Sequence, residues 1–235
     1  MYEKYRKEIF MRTNNYIYLS YCLNETTPTY GNSDKVNLIK KSSIKYNDIA
    51  NHTIITTSVH NGTHIDMPLH FFSNGQSINN FCCSDFIFNH VLFVEINSSD
   101  IIINQNLVQK LSEVEDKIKI EAIIVKTGIG SKRNDEVYWR ENFGFHPDIA
   151  DYIREFFPNV RLFGFDSISV SSFTNRELGR IAHRKFLDPK KPILLLEDMN
   201  LNEIYKEDNV KKLIVAPLRI ENSDGLPCTV IAEVL

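Results

Sequence analysis

Eleven residues, His60 to His70, read HNGTHIDMPLH and gather three histidines and one aspartate. These groups fall at positions 60, 64, 66 and 70, around a glycine and a proline. Imidazole and carboxylate are the side chains that bind zinc and other first-row divalent ions. Any one of the four could be an ordinary hydrogen-bonded core residue. Together, in so short a span, they predict part of a metal site, and such a site points toward hydrolysis.

The composition of this segment favours an extended chain over a helix. Gly62, β-branched Thr63 and Pro68 are poor residues for a helix interior. In an extended chain the four polar groups share one face because their positions are all even. Four residues of straight strand span roughly 13 Å, which is too far for His60 and His64 to share an ion. The sequence therefore predicts a kinked or bulged strand that bends at Gly62, runs into a loop and carries the ligands on its concave side.

The charge and hydropathy patterns argue against nucleic-acid and membrane binding. The 235 residues carry a net charge of −3, so there is no basic excess for a nucleic acid. No apolar run approaches the roughly 20 residues needed to span a bilayer, and no signal-peptide pattern is visible. We therefore expect a cytoplasmic protein. Residues 1–15 are predicted to be an N-terminal extension, with Met11 as an alternative start, followed by one domain over residues 16–235.

Apolar runs separated by turn residues predict a mixed α/β chain that is rich in strands. The stretch 174–187 has helical spacing, with Thr174 as its N-cap in a capping-box pattern, and it contains His183. The strand predicted over 192–197 ends in Glu197. Taken alone, the sequence around His183 predicts a helix-surface residue, and that around Glu197 predicts a plain charge at a strand end. Together with the segment His60–His70, both residues become candidate metal ligands. The other predicted strands are 16–23, 53–59, 90–96, 121–127, 160–166, 213–218 and 228–234, and the other predicted helices are 104–112 and 147–157.

The segment at residues 60–70 resembles the H-x-G-T-H-x-D-x-P-x-H signature of the cyclase-like metal-dependent hydrolase family, which includes bacterial kynurenine formamidases and isatin hydrolases. The resemblance extends over about residues 16–235. The further stretches that resemble family motifs are TPTYGNSD (27–34), HFFSNG (70–75), TGIG (127–130), FGFDSISV (163–170), PILLLEDMNL (192–201) and APLRIENSDGLPCTVIAEV (216–234).

This resemblance implies a swivelling β/β/α fold, usually assembled as a homodimer or a homotetramer. It also implies one or two divalent ions, zinc in formamidases and manganese in isatin hydrolases. Zn²⁺ is our first expectation for this chain and Mn²⁺ the second, since no cysteine lies in the motif. The residues that match the family's functional positions are His60, His64, Asp66, His183 and Glu197 for metal binding, His70 for acid–base catalysis and Tyr30 for the wall of the substrate pocket.

These inferences predict a metal-dependent hydrolase that acts on a small-molecule substrate through a metal-activated water. The substrate would be a small aryl-formamide similar to N-formylkynurenine, which suggests tryptophan catabolism, or a cyclic amide. One alternative is a metal-dependent cyclase or dehydratase, in which the ion polarises a carbonyl without water as the nucleophile. Another is a non-catalytic metal- or ligand-binding module. His70 argues against that module, because a binder has no use for a free acid–base group beside the ion.

Overall fold

The computed structural model describes residues 16–204 and 210–234. Over these residues, apolar strands alternate with amphipathic helices in a mixed α/β fold, which is the class that the sequence predicts. The predicted N-terminal extension and the alternative start at Met11 lie outside the described residues. None of the helices in these ranges is long and apolar enough to cross a lipid bilayer. The elements are β1 (Tyr16–Tyr18), β2 (Asn37–Ser42), β3 (His52–Thr56), β4 (His64–Asp66), β5 (Ile87–Phe88), β6 (Val91–Glu95), β7 (Ile102–Ile103), α1 (Gln105–Ser112), β8 (Ala122–Lys126), α2 (Val137–Arg140), β9 (Gly144–Phe145), α3 (Asp148–Phe156), β10 (Leu162–Phe165), α4 (Arg176–Phe186), β11 (Leu194–Glu197), β12 (Val210–Pro217) and β13 (Gly225–Val234).

One large sheet, of nine strands among the described residues, carries the histidine segment. Its order is β5–β12–β13–β4–β11–β10–β8–β6, and β1 pairs with β13 outside this path. Strands β6, β8, β10 and β11 run parallel as neighbours. Strand β4 is antiparallel to both β11 and β13. The three-residue strand of the histidine segment is therefore inserted between a parallel half of the sheet and the antiparallel hairpin β12–β13.

The parallel strands are apolar on both faces, as expected where a sheet is covered on both sides. In β8, successive side chains point to opposite faces. Ile123 packs into a cluster with residues of α1, α3 and α4, whereas Ile124 packs into a second cluster with residues of β12 and β13. These two clusters cover opposite faces of the central strands. The carboxyl end of β11 carries Glu197, one of the candidate ligands.

The hairpin β2–β3 stands apart from the large sheet. Within residues 16–204 and 210–234, its two strands pair with each other alone, antiparallel, and every residue of β3 is exposed. The sequence predicts β3, although it places the strand at 53–59 rather than His52–Thr56. It does not predict β2, because NLIKKS has no regular alternation of apolar and polar residues.

The predicted N-cap of the late helix is wrong by one residue. Helix α4 begins at Arg176, and the side chain of Asn175 accepts a hydrogen bond from Leu178 N. Thr174 Oγ1 instead lies 3.0 Å from Ser172 Oγ, in the preceding turn. Asparagine caps a helix at least as well as threonine, so the adjacent residue takes the position. The first strand is also shorter than predicted, because its regular pairing with β13 ends at Tyr18, and Ser20 forms an isolated bridge with Met199.

Candidate metal centre

The histidine segment bends at Gly62, where the sequence predicts a bend. Gly62 has a φ of +69°, in the left-handed region that favours glycine. A Cβ at this position would also lie 2.5 Å from Leu23 Cδ2. His60 lies in the turn before β4 rather than on a strand. After the bend, Ile65 and Met67 are fully buried, so the odd-numbered apolar residues anchor β4 while the even-numbered polar groups face the other way.

Four of the predicted ligands come together at β4. Asp66 Oδ1 accepts a hydrogen bond from His60 Nδ1 at 2.9 Å and lies 3.4 Å from His64 Nε2. Glu197 reaches the same point because β11 pairs with β4 in a register that puts Glu197 opposite His64. Its Oε2 lies 3.5 Å from His64 Nε2. One imidazole nitrogen therefore faces two carboxylates that lie far apart in the sequence.

His183 completes this group from α4. Its Nε2 lies 3.6 Å from Asp66 Oδ2 and 3.8 Å from Glu197 Oε1. The imidazole of His183 is buried, and so is the carboxyl of Glu197. His183 is therefore not the helix-surface residue that its sequence alone indicates, and Glu197 ends a strand as predicted but is buried.

Backbone hydrogen bonds orient two of the imidazoles. His64 Nδ1 lies 2.8 Å from the carbonyl oxygen of Gly62, and His183 Nδ1 lies 2.8 Å from that of Gly179. A carbonyl can only accept, so each Nδ1 donates, and in the neutral ring each Nε2 carries the lone pair, directed at the carboxylates. Metal-ligating histidines are commonly oriented in this way. Glu197 is oriented similarly, since its Oε1 accepts a hydrogen bond from Val170 N at 2.8 Å.

The electrostatics of the group fit a cation. Burial, and then the charge of Asp66, raises the pKa of Glu197 well above its usual range. Burial also opposes ionisation of Asp66, but the neighbouring imidazoles, His70 foremost, outweigh it and hold that pKa well below its usual range. Burial lowers the pKa of His183 to about 4, so this imidazole is neutral, as a ligand must be. Two buried carboxylates with neutral imidazole nitrogens are the donors that a divalent ion takes.

Asp224 joins His60 to His70, and sequence reasoning missed it. Its Oδ2 accepts hydrogen bonds from His60 Nε2 at 2.9 Å and from His70 Nδ1 at 3.0 Å. Because His60 Nδ1 donates to Asp66, both nitrogens of that ring donate, as only an imidazolium can. Burial opposes this charge, but the hydrogen bonds to Asp224 and Asp66 outweigh it and raise the pKa of His60 to about 10. Metal binding must displace this proton, so the two compete.

No local sequence signal identifies Asp224, because the constraint on the residue that follows it appears only in the structure. Gly225 begins β13 opposite Asp66, and a Cβ there would lie 2.3 Å from His60 Cε1. A glycine at this position is therefore required by the packing of the imidazole, not by the turn NSDG in which it stands. Because Gly225 packs closely against the imidazole of His60, the neighbouring Asp224 lies within hydrogen-bonding distance of the same ring.

A cavity of about 350 Å³ opens above these residues. Its apolar wall includes Tyr30, at the predicted position, with Phe71 and Ile168. The ring of Phe71 stacks on that of His183, with 4.6 Å between their centroids. The residues that line the cavity are Tyr30, His60, His64, Asp66, His70, Phe71, Ile168, Ser169, Ser171, Arg176, Arg180, His183 and Glu197.

Solved structures with the same fold confirm the predicted fold family. An isatin hydrolase bound to the product analogue thioisatinate superposes with a TM-score of 0.78 at 17% identity, over 100% of this chain and 97% of that one. Isatin hydrolase A from Labrenzia aggregata, bound to benzyl benzoate, gives a TM-score of 0.76 at 20% identity, over 98% of each chain.

Sequence comparison leads to the same group of proteins. The kynurenine formamidase of Bacillus thuringiensis subsp. konkukian (strain 97-27) is 27% identical over 220 residues, which is 92% of this chain and 96% of that protein. The kynurenine formamidase of Bacillus anthracis is 26% identical over 220 residues, with the same coverage of each chain. Residues 17–172, more than half of the chain, match the family model Cyclase, described as "Putative cyclase". The chain therefore belongs to the cyclase family.

Proposed function

We propose that this chain is a metal-dependent hydrolase that cleaves the amide bond of a small aryl-formamide or of a cyclic amide. The observation that carries the proposal is the convergence of three imidazoles on two buried carboxylates at the floor of one cavity. The cavity is large enough for an aryl ring, and its apolar wall suits one. The names of the relatives, kynurenine formamidase and isatin hydrolase, support a hydrolase of this kind.

Five residues would hold the metal. His60, His64 and Asp66 would bind one divalent ion, and His183 with Glu197 would complete its shell or, with Asp66 as the bridge, bind a second ion. When bound, the ion supplies a water of lowered pKa and polarises a carbonyl oxygen. We propose Zn²⁺ first and Mn²⁺ second, because imidazole and carboxylate suit both ions. Within the described part of the chain, no cysteine belongs to a donor group that could favour a thiophilic ion.

His70 is the group that would move protons. Its side chain is 28% exposed, in the wall of the cavity, and its Nδ1 donates to Asp224 at 3.0 Å. The lone pair of Nε2 is therefore available to accept a proton from the attacking water and return it to the leaving amine. Asp224 acts through His70 by fixing the tautomer and the direction of the ring. Tyr30 and Phe71 would contact the aryl ring of the substrate.

Metal analysis and a short substrate panel test the proposal. The purified protein should contain zinc or manganese by elemental analysis. It should release formate from N-formylkynurenine or open the ring of isatin. His64→Ala should remove the metal and the activity together, since its Nε2 faces both carboxylates. His90→Ala, a change of the same type at an exposed histidine, should alter neither.

Other outcomes of the panel would separate the alternatives. Loss of water or ring closure in a carbonyl substrate, without hydrolysis, would identify a cyclase or dehydratase. Bound metal with no turnover on amides and lactones would identify a binding module. A metal-free protein, or wild-type metal content in His64→Ala, would contradict the site itself.

We also propose that the chain assembles as a homodimer, or as a homotetramer of such dimers, through the hairpin β2–β3. A two-stranded hairpin is marginally stable in water on its own, and this one exposes Ile44, Tyr46 and Ile49. A second copy would cover these side chains, which lie in the connection between β2 and β3. Sedimentation should therefore show a dimer or tetramer, and Ile49→Asp should shift it toward the monomer; a monomeric wild type would contradict this assembly.

A further inference from the structure

One face of α4 presents two arginines to the cavity in addition to the histidine. Arg176, Arg180 and His183 are spaced by four and three residues, which places them on the same face of a helix. All three line the cavity above the candidate metal centre. Carboxylates form the floor of the cavity, aromatic side chains form part of its wall, and the two arginines make the edge along α4 cationic.

The two arginines are not equivalent. Arg180 forms an ion pair with Glu177, one turn earlier on the same helix. Arg176 has no carboxylate within ion-pair distance among the residues that the structure describes. Its guanidinium instead lies 4.0 Å from the ring centroid of Phe173, and that ring packs edge-on against Tyr30 at 5.4 Å. Stacking on an aromatic face positions a guanidinium and leaves its in-plane N–H groups free for a ligand.

We propose that Arg176 binds a carboxylate of the substrate and makes the site selective for amides that carry a carboxylate over amides that do not. This inference rests on the proposed function and specifies its substrate class. A guanidinium and a carboxylate form two parallel charge-assisted hydrogen bonds, which is the strongest such recognition available to a side chain. No described carboxylate competes for this position, so a substrate carboxylate would be the group that satisfies it.

The helix also sets the length of the substrate. Arg176 and His183 are seven residues apart, or on the order of 10 Å along the helix axis at about 1.5 Å per residue. The cleaved carbonyl would lie beside His183 and the carboxylate beside Arg176. The substrate would thus carry its carboxylate up to about 10 Å from the amide carbonyl, across the aromatic wall. N-formylkynurenine has such a carboxylate, whereas isatin has none.

Binding of a product and its ester tests the selectivity without turnover. Calorimetry would compare kynurenine with kynurenine methyl ester, in which a neutral methyl ester replaces the carboxylate. We expect the wild type to bind the acid about 10–100-fold more tightly than the ester, the effect of a charge-assisted hydrogen bond. Arg176→Gln should bind acid and ester alike, and Arg176→Lys should keep part of the preference. Arg140→Gln, a matched change at an exposed arginine paired with Glu136, should behave as the wild type.

Kinetics provide the second readout and separate this inference from the proposed function. With N-formylkynurenine, Arg176→Gln should raise KM by about 10–100-fold with little change in kcat, and it should leave the KM of the methyl ester unchanged. A wild type that binds acid and ester equally, or binds neither, would overturn the role of Arg176. A wild type that binds the acid through Arg176 but hydrolyses no formamide would support this role and refute the formamidase activity.

Discussion

Replacing Gly225 by alanine should release His60 from the metal centre without unfolding the protein. The new Cβ would lie 2.3 Å from His60 Cε1, 2.6 Å from Nδ1 and 2.9 Å from Nε2. Carbon atoms pack at about 3.5–4.0 Å, so the ring must retreat by more than 1 Å. The backbone of Gly225 cannot give way easily, because Gly225 pairs with Asp66 of β4 and its carbonyl oxygen accepts a hydrogen bond from Ser223 Oγ.

The displacement breaks both hydrogen bonds that position the ring. His60 donates to Asp66 and to Asp224 at 2.9 Å each, and a shift of about 1 Å carries both contacts beyond hydrogen-bonding distance. Losing the orientation of one metal ligand costs about 10–100-fold in metal affinity. At about 1.4 kcal/mol per tenfold change, that is roughly 1.4–2.8 kcal/mol of binding free energy.

A second glycine provides the matched control. Gly128 has a φ of +81°, and a Cβ there would have no atom within 4 Å. Gly128→Ala should therefore lose about 1–2 kcal/mol of stability through backbone strain while retaining the metal affinity of the wild type. Zinc titration against a chromogenic chelator, with thermal unfolding in EDTA, measures both quantities. If Gly225→Ala bound zinc with wild-type affinity, His60 would not be a ligand.

Three further predictions concern single side chains. His70→Ala should lower turnover about 10²–10⁴-fold with unchanged metal content; loss of metal would show that His70 is a ligand instead. Asp224→Asn should lower activity about 10–100-fold, because the neutral amide removes the negative charge that holds the donors of His60 and His70; equal kcat values would exclude a positioning role. Burial raises the pKa of Tyr138 well above 10, so folded Tyr138 keeps a proton that the unfolded chain releases. Stability should fall as the pH rises above 10, and less steeply in Tyr138→Phe, as denaturant unfolding would show.

The local part of the candidate site could be predicted from sequence because it is encoded locally. His60, His64 and Asp66 lie within seven residues, and their even spacing with Gly62 between them restricts the backbone to few conformations. Glu197 could be placed because a buried strand ends on it. Each of these inferences depends on one short stretch of chain.

Asp224 and Arg176 could not be predicted, because their roles depend on contacts between distant elements. Asp224 reaches the histidines only when β13 pairs with β4 in the register that sets Gly225 opposite Asp66. Arg176 lines the cavity with its guanidinium stacked on Phe173, a contact that the sequence does not reveal. No periodicity or local spacing reports on a strand register or on a stacking contact.

The donors of the candidate centre differ in what positions them, and this difference predicts where the site is vulnerable. His64, His183 and Glu197 are each fixed by a hydrogen bond to the backbone, which no side-chain substitution removes. His60 is fixed by two carboxylates, and one of them, Asp224, also holds His70. A change at Asp224 should therefore disturb the proposed metal ligand His60 and the proposed acid–base group His70 at once, whereas the backbone-anchored donors stay in place. Substitutions in the turn 222–225 should consequently reduce activity more than their distance in sequence from the histidine segment suggests.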